Sequence, residues 1–349
     1  MRDRRRSWIS LGIAVGIVIA IGFGFAASQD GADSHAKTPR TSANHAAEHM
    51  WKVTTEEQSY APGSHSEPPN DGKLRILVFG AHPDDCEHKV GGTAALWADL
   101  GHHVKFVSLT NGDAGHWHMA GGPLARRRLF EAEKAAKILG VEATELLDIH
   151  DGELMPTLEN RKTLVRLIRE WQPDIILSHR PYDWSHPDHH HTGELVRDAQ
   201  SSSGPKNFCP LAPRMRRSLR AVAWYYDPYE RPMPFVPDLV IAIDDVVGQK
   251  AHALLSMETQ LIERGTGGSA AFLPEEAAER ETLRMKRKEW VKKQWSDVAD
   301  RYRDKLIELY GEEKGSKVRY AEAFQLSELR RPPTPEQFRR LFPFFSDNK

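Results

Sequence analysis

Cysteine is nearly absent. Two residues, Cys86 and Cys209, in a chain of 349 cannot build a disulfide framework, and no Cys-x-x-Cys pair occurs. A single Cys86–Cys209 bridge stays open in an oxidising compartment. An excess of one charge is lacking too: 48 Lys and Arg stand against 49 Asp and Glu, a net charge of −1, which argues against nucleic acid as a partner. There is no Gly-rich phosphate loop and no internal repeat. A long apolar run occurs only at the N-terminus, from Trp8 to Ala27, behind Arg2, Arg4, Arg5 and Arg6. It approaches the ~20 residues that span a bilayer. Residues 1–28 therefore read as a cleaved signal peptide or an uncleaved anchor with its positive end inside, and either places the protein outside the cytoplasm. Residues 29–71 carry little periodicity and read as a flexible spacer.

What is present in abundance is histidine beside carboxylate. The apolar run 74–79 reads as a buried parallel strand, and Gly80-Ala81-His82-Pro83-Asp84-Asp85-Cys86-Glu87 follows it directly. Ligands of open α/β sheets bind at the carboxyl ends of strands. A helix N-cap would explain one carboxylate here, but not two plus an imidazole. A second short apolar run, 174–178, leads into His179-Arg180-Pro181-Tyr182-Asp183-Trp184-Ser185-His186-Pro187-Asp188-His189. Pro187 suits a first helical position, and His186 and His189 sit one turn apart on one face. Both clusters should share one sheet edge. Two His and one carboxylate are the ligand set of a catalytic rather than a structural zinc, with a position left for water. A further carboxylate and a further imidazole supply a base and an acid for amide hydrolysis. The same ligand set serves non-haem iron(II) oxygenases, a more distant alternative. A non-catalytic metal- or carbohydrate-binding module is the alternative from another class.

Ala-His-Pro-Asp-Asp at 81–85 and His-Pro-Asp-His at 186–189 resemble the paired motifs of the PIG-L (LmbE-like) deacetylases. The resemblance runs from about Leu74 to Gln260. It implies a Rossmann-like α/β fold, mostly parallel and flanked by helices, and a zinc-dependent N-deacetylase acting on an N-acetylglucosaminyl group; Fe2+ is the other metal to weigh. It implies metal ligands His82, Asp85 and His189, a general base Asp84, and His186 as the acid or oxyanion group. Arg128, in an Arg-bearing helix like the family's, and Asp113, in a Gly-Asp-Ala-Gly turn, are assigned with Asp183 to the substrate. Trp184 stands where some members have Tyr, and Met257 where many have His, so no role transfers to either. The expected substrate is a small molecule or glycoconjugate, with homo-oligomers open.

Periodicity predicts helices over 91–100, 126–139, 160–171, 189–200 and 244–264, and strands over 103–109, 145–149, 221–226 and 239–243. These complete a catalytic domain over 72–265. The charged 274–310 stretch predicts helix, so 266–349 reads as a C-terminal helical extension packed on that domain.

Overall fold

The computed structural model describes residues 71–229 and 233–345. The expected export segment, 1–28, and all but the last residue of the spacer lie outside them. No helix among the described residues is long and apolar enough to cross a membrane.

Seven strands form one sheet in the order β3-β2-β1-β4-β5-β7-β6. They are β1 Arg75–Gly80, β2 His103–Ser108, β3 Ala143–Leu146, β4 Ile175–Ser178, β5 Ala221–Tyr225, β6 Leu239–Ala242 and β7 Ala321–Leu326. β1 pairs in parallel with both β2 and β4, and β4 in parallel with β5. The chain leaves β1 towards β3, then crosses back to β4. The order therefore reverses between β1 and β4, and that switch point opens a crevice at their carboxyl ends. Both motif loops leave the sheet there.

Every residue of β1 is buried, as expected for a strand covered on both faces. One core layer joins Ile76 and Val78 to Trp97, Phe106 and Ile241, and the other joins Leu77 and Phe79 to Leu164, Ile168 and Val196. The helices are α1 Asp85–Asp99, α2 Gly121–Leu139, α3 Leu158–Trp171, α4 Pro187–Ser202, α5 Val247–Leu255, α6 Glu258–Leu261, α7 Ala277–Arg301, α8 Arg303–Tyr310, α9 Glu312–Gly315 and α10 Pro335–Leu341.

Three expectations need correction. The first helix begins at Asp85, not near Gly91, so the carboxylate motif is itself the helix start. Acidic side chains suit the positive end of the helix dipole, and Gly92 lies inside the helix where a Cβ would meet Ile243 at 2.7 Å. The 244–264 helix is broken after Leu255, with buried Met257 at the break. Most consequentially, 266–349 is not only helical. Its strand β7 pairs antiparallel with β5 and β6, so the sheet of 72–265 is incomplete without it. The alternating Ala321, Ala323 and buried Glu322 hide the strand from a hydrophobicity scan. Glu322 is nonetheless internal because Lys250 Nζ meets it at 2.6 Å, and Gly92 N, Thr93 N and Thr93 Oγ1 donate to it as well. Both cysteines are free, and Cys86 packs under β1 among apolar residues.

Candidate active site

The loop after β1 is shaped by its own second aspartate. Asp85 Oδ2 accepts the backbone N–H groups of Ala81 and His82 at 2.9 and 2.8 Å, folding the chain back on the helix start. Gly80 is required beneath it, since a Cβ there would sit 2.8 Å from the Asp85 Cβ. Asp84 occupies the N-cap position but makes no capping hydrogen bond. Its carboxylate instead takes a hydrogen bond from Arg128 Nη2 at 3.1 Å. Capping therefore does not account for the pair. On the other loop, His186 is the N-cap of α4, with Pro187 at the first turn and Asp188 N donating to His186 Nδ1 at 3.2 Å. That bond places the ring hydrogen of neutral His186 on Nε2.

The two loops meet. The rings of His82 and His189 lie 5.2 Å apart, and those of His82 and His186 4.7 Å apart. Donor atoms of His82, Asp85 and His189 all lie within 4.8 Å of one another. Asp85 Oδ2 is 3.5 Å from His82 Nδ1, and its Oδ1 is 3.5 Å from His189 Nε2. Ser185 Oγ lies 2.9 Å from His189 Nδ1, which leaves Nε2 as the lone-pair donor of that ring. Two overlapping groups, His82/Asp151/His186 and His179/Asp183/His189, satisfy the same distance test. Nε2 of His82 and Nε2 of His179 are buried among carboxylate oxygens without an aligned hydrogen bond. Buried polar atoms are ordinarily paired. Two imidazoles and one carboxylate whose donor atoms converge in this way fit a divalent cation held by His82, Asp85 and His189.

The electrostatics agree. Burial would raise Asp85, but His189 and His179 hold its carboxyl well below the usual range, so it is an anion. Burial and the neighbouring His179 push His189 down to about 4, so that ring is neutral and free to ligate. His82 is pulled the other way: burial lowers it, but Asp151, Asp188 and Asp85 together raise it well above the ordinary imidazole value. Asp84 is raised by burial, with Arg128 opposing.

The cleft over this cluster has a volume of about 480 Å³ and is lined by His82, Asp84, Asp85, Arg128, Asp151, His186, His189, Gln260 and Thr266 among others. Arg128 is on its floor, bridging Asp84 and, at 3.7 Å, Asp151. Gly112, at φ +70°, makes room for that guanidinium and accepts its second hydrogen bond. Asp113 and Asp183, assigned to the substrate from sequence, do not line the cleft. Asp113 accepts from His150 Nδ1 and from Asp151 N, and so sets the Asp151 turn. Asp183 is 2% exposed and sits behind the histidines, at 3.1 Å from His179 Nδ1 and 3.5 Å from His189 Nδ1. Both carboxylates position other residues because their oxygens are taken before a substrate could reach them.

Three participants were not singled out from sequence. Asp151 and Asp188 place carboxylate oxygens 3.2 and 3.3 Å from His82 Nε2. His179 stacks on His189 with ring centroids 4.1 Å apart and faces Asp85. His179 directly follows β4 and Asp188 lies inside the His-Pro-Asp-His motif, so chain position was the available signal. Trp184 points outward, stacked on His190 at 4.3 Å. His116 is held by Glu263 at 2.9 Å, tying the 112–118 loop to the segment after α6.

A diacetylchitobiose deacetylase from Thermococcus kodakarensis is 37% identical over 207 residues, covering 57% of this chain and 74% of the relative. The chain belongs to the PIG-L family. The sequence model of that family, described as GlcNAc-PI de-N-acetylase, matches residues 77–200. The crystal structure of an N,N'-diacetylchitobiose deacetylase from Pyrococcus horikoshii, complexed with an inhibitor, superimposes with a TM-score of 0.58 at 25% identity, covering 83% of this chain and 97% of that one. A 4-oxalmesaconate hydratase of Pseudomonas putida is also similar, 34% identical over 150 residues, with 39% of this chain and 57% of the relative covered. The chain is thus similar both to an enzyme named as a deacetylase and to one named as a hydratase. Both chemistries need an activated water, which is what the cleft can provide.

Proposed function

We propose that this PIG-L protein is a zinc-dependent N-deacetylase that removes acetyl from an N-acetylglucosaminyl sugar or glycoconjugate. The observation that carries this is the convergence of His82, Asp85 and His189 beneath a cleft that also presents Asp84 and His186. A cation held by the first three would supply Lewis acidity, lowering the pKa of a water to about 7 and polarising the acyl carbonyl. Asp84, whose Oδ1 is occupied by Arg128, takes the water proton on its other oxygen. Its raised pKa makes it a stronger base than an ordinary aspartate. His186 presents Nε2–H, the atom its N-cap hydrogen bond leaves free, to the oxyanion, and the proton that Asp84 took from the water passes to the departing amine. The C–N bond breaks, acetate leaves, and the amine carries the proton away. Arg128 and Asp151 line the floor, where sugar hydroxyls would bind.

The relatives support the amide reading over the alternatives, since the relative with the longer match is a deacetylase. The N-terminal arginines and apolar run support an exported or membrane-anchored enzyme. The test is acetate release from a panel of N-acetylated sugars, with metal content measured on the same sample. His189→Ala should lose metal and activity together. Metal-loaded protein that releases no acetate across the panel, yet hydrates an unsaturated tricarboxylate, would assign it to the hydratase chemistry instead.

A further inference from the structure

At the edge of the sheet opposite the catalytic cleft lies a second concave surface. Two adjoining hollows of about 610 and 620 Å³ share Arg217, Ser218, Arg220 and Gln337 as a common wall. Between them they are lined by Arg216, Arg217, Arg220, Arg330, Arg331 and Arg340, and by no lysine. Only two carboxylates join these arginines, Asp174 and Glu336, and Asp174 already binds Arg217 at 2.7 Å. Arg220, Arg331 and Arg340 are exposed. In a chain whose net charge is −1, this is a concentrated positive face.

We propose that this face docks on an anionic phospholipid surface and turns the catalytic cleft away from it. Guanidinium groups match phosphate with paired hydrogen bonds, which an ammonium cannot do. The hollows sit at the amino ends of β1 and β4, where Leu74 and Asp174 line the first of them. The cleft is at the carboxyl ends, about 20 Å away along a six-residue strand. The attachment of the chain supplies the argument for lipid over a soluble anion. Arg217 Nη2 donates to Lys73 O at 3.2 Å, so the polypeptide that carries the N-terminal arginines and apolar run joins the domain at this same face. A domain tethered from here presents its arginines to the headgroups and its cleft to glycans beyond. The lipid assignment rests on the anchor reading of residues 1–28 and not on the reaction the cleft performs.

The test compares partitioning of the full-length protein onto vesicles of phosphatidylcholine alone and of phosphatidylcholine with phosphatidylglycerol. The ratio of the two cancels any binding by the apolar N-terminal run. A basic residue near an anionic surface contributes about fivefold in partitioning. The Arg220→Gln/Arg331→Gln/Arg340→Gln variant should therefore lose on the order of a hundredfold of the phosphatidylglycerol-dependent gain. Its acetate release from a soluble substrate should stay at the parental rate, which also reports that it has folded. The matching triple Arg→Lys variant should fall between parent and Gln variant, since it keeps the charge and loses the paired hydrogen bonds. If parent and Gln variant partition alike, the face does not meet lipid and the proposal falls. If tripolyphosphate binds the parent but not the Gln variant while vesicle partitioning is unchanged, the hollows serve a soluble polyanion and the lipid assignment is overturned.

Discussion

Asp188 makes no contact with the cleft mouth, yet it should control how tightly the site holds metal. Its side chain is fully buried. One oxygen accepts Gly152 N–H at 2.8 Å and faces His82 Nε2 at 3.3 Å, and the other has no hydrogen-bond partner. A full negative charge is therefore aimed at one ring nitrogen of His82. It favours the hydrogen on Nε2 and leaves the lone pair on Nδ1, the side of Asp85. Carboxylates that orient a ligating imidazole are worth about 10- to 100-fold in metal affinity. Asp188→Asn keeps the shape and can still accept from Gly152, so only the charge is lost, and the expected loss is about tenfold, or 1.4 kcal/mol. Asp188→Ala also frees the ring and the 151–152 turn, and should reach about a hundredfold. Competition against a chelating indicator measures both. Activity of the Asn variant should recover at saturating metal. If both variants bind metal as tightly as the parent, Asp188 does not set the His82 tautomer and the assignment of Nδ1 to the metal side is wrong.

Other outcomes follow from the same geometry. Asp84→Asn should retain metal at the parental stoichiometry and lose about 10²- to 10⁴-fold in kcat, since it removes a base and not a ligand; a kcat within threefold of the parent, an interval of about 0.7 kcal/mol, would clear Asp84 of that role. Metal uptake should depend on pH. His82 is held above the ordinary imidazole range in the metal-free fold, so it carries a proton that the cation must displace. Apparent affinity should therefore rise by about tenfold per pH unit through the neutral range and level off once the pH passes that raised value; a pH-independent affinity would contradict the protonated ring. Glu322→Gln should destabilise the fold by about 3 kcal/mol, read from urea denaturation, because it strips the partner from buried Lys250. That figure is at the low end for a broken buried pair, since burial already lowers the Lys250 pKa and the amine can shed its proton.

How far the sequence could be read depended on what each residue answers to. His82, Asp84, Asp85, His186 and His189 are close neighbours of strand ends, so locating β1 and β4 was enough to bring them to one edge. The apolar runs that mark those strands are unambiguous because both faces of a parallel sheet are buried. Asp113 and Asp183 were legible as polar residues at that edge but not in their direction. A carboxylate two residues from a turn can face the cleft or turn back to bind a histidine, and only the packed structure decides. Strand β7 was not legible at all. Its core-facing Glu322 is made tolerable by Lys250, 72 residues earlier in the chain, and by the Gly92–Thr93 turn of α1, and no local pattern reports a partner at that separation. The arginine hollows were hidden for the same reason: Arg216, Arg217 and Arg220 lie over a hundred residues from Arg330 and Arg340 and form one surface only after β7 joins the sheet.

The most direct measurement is anomalous diffraction at the zinc edge on crystals grown with zinc. The account predicts one strong peak at about 2.0–2.2 Å from a ring nitrogen of His82, a ring nitrogen of His189 and a carboxylate oxygen of Asp85, with Asp84 outside the coordination sphere. A peak centred instead on His179 and Asp183, or no peak near His82 at all, would contradict it.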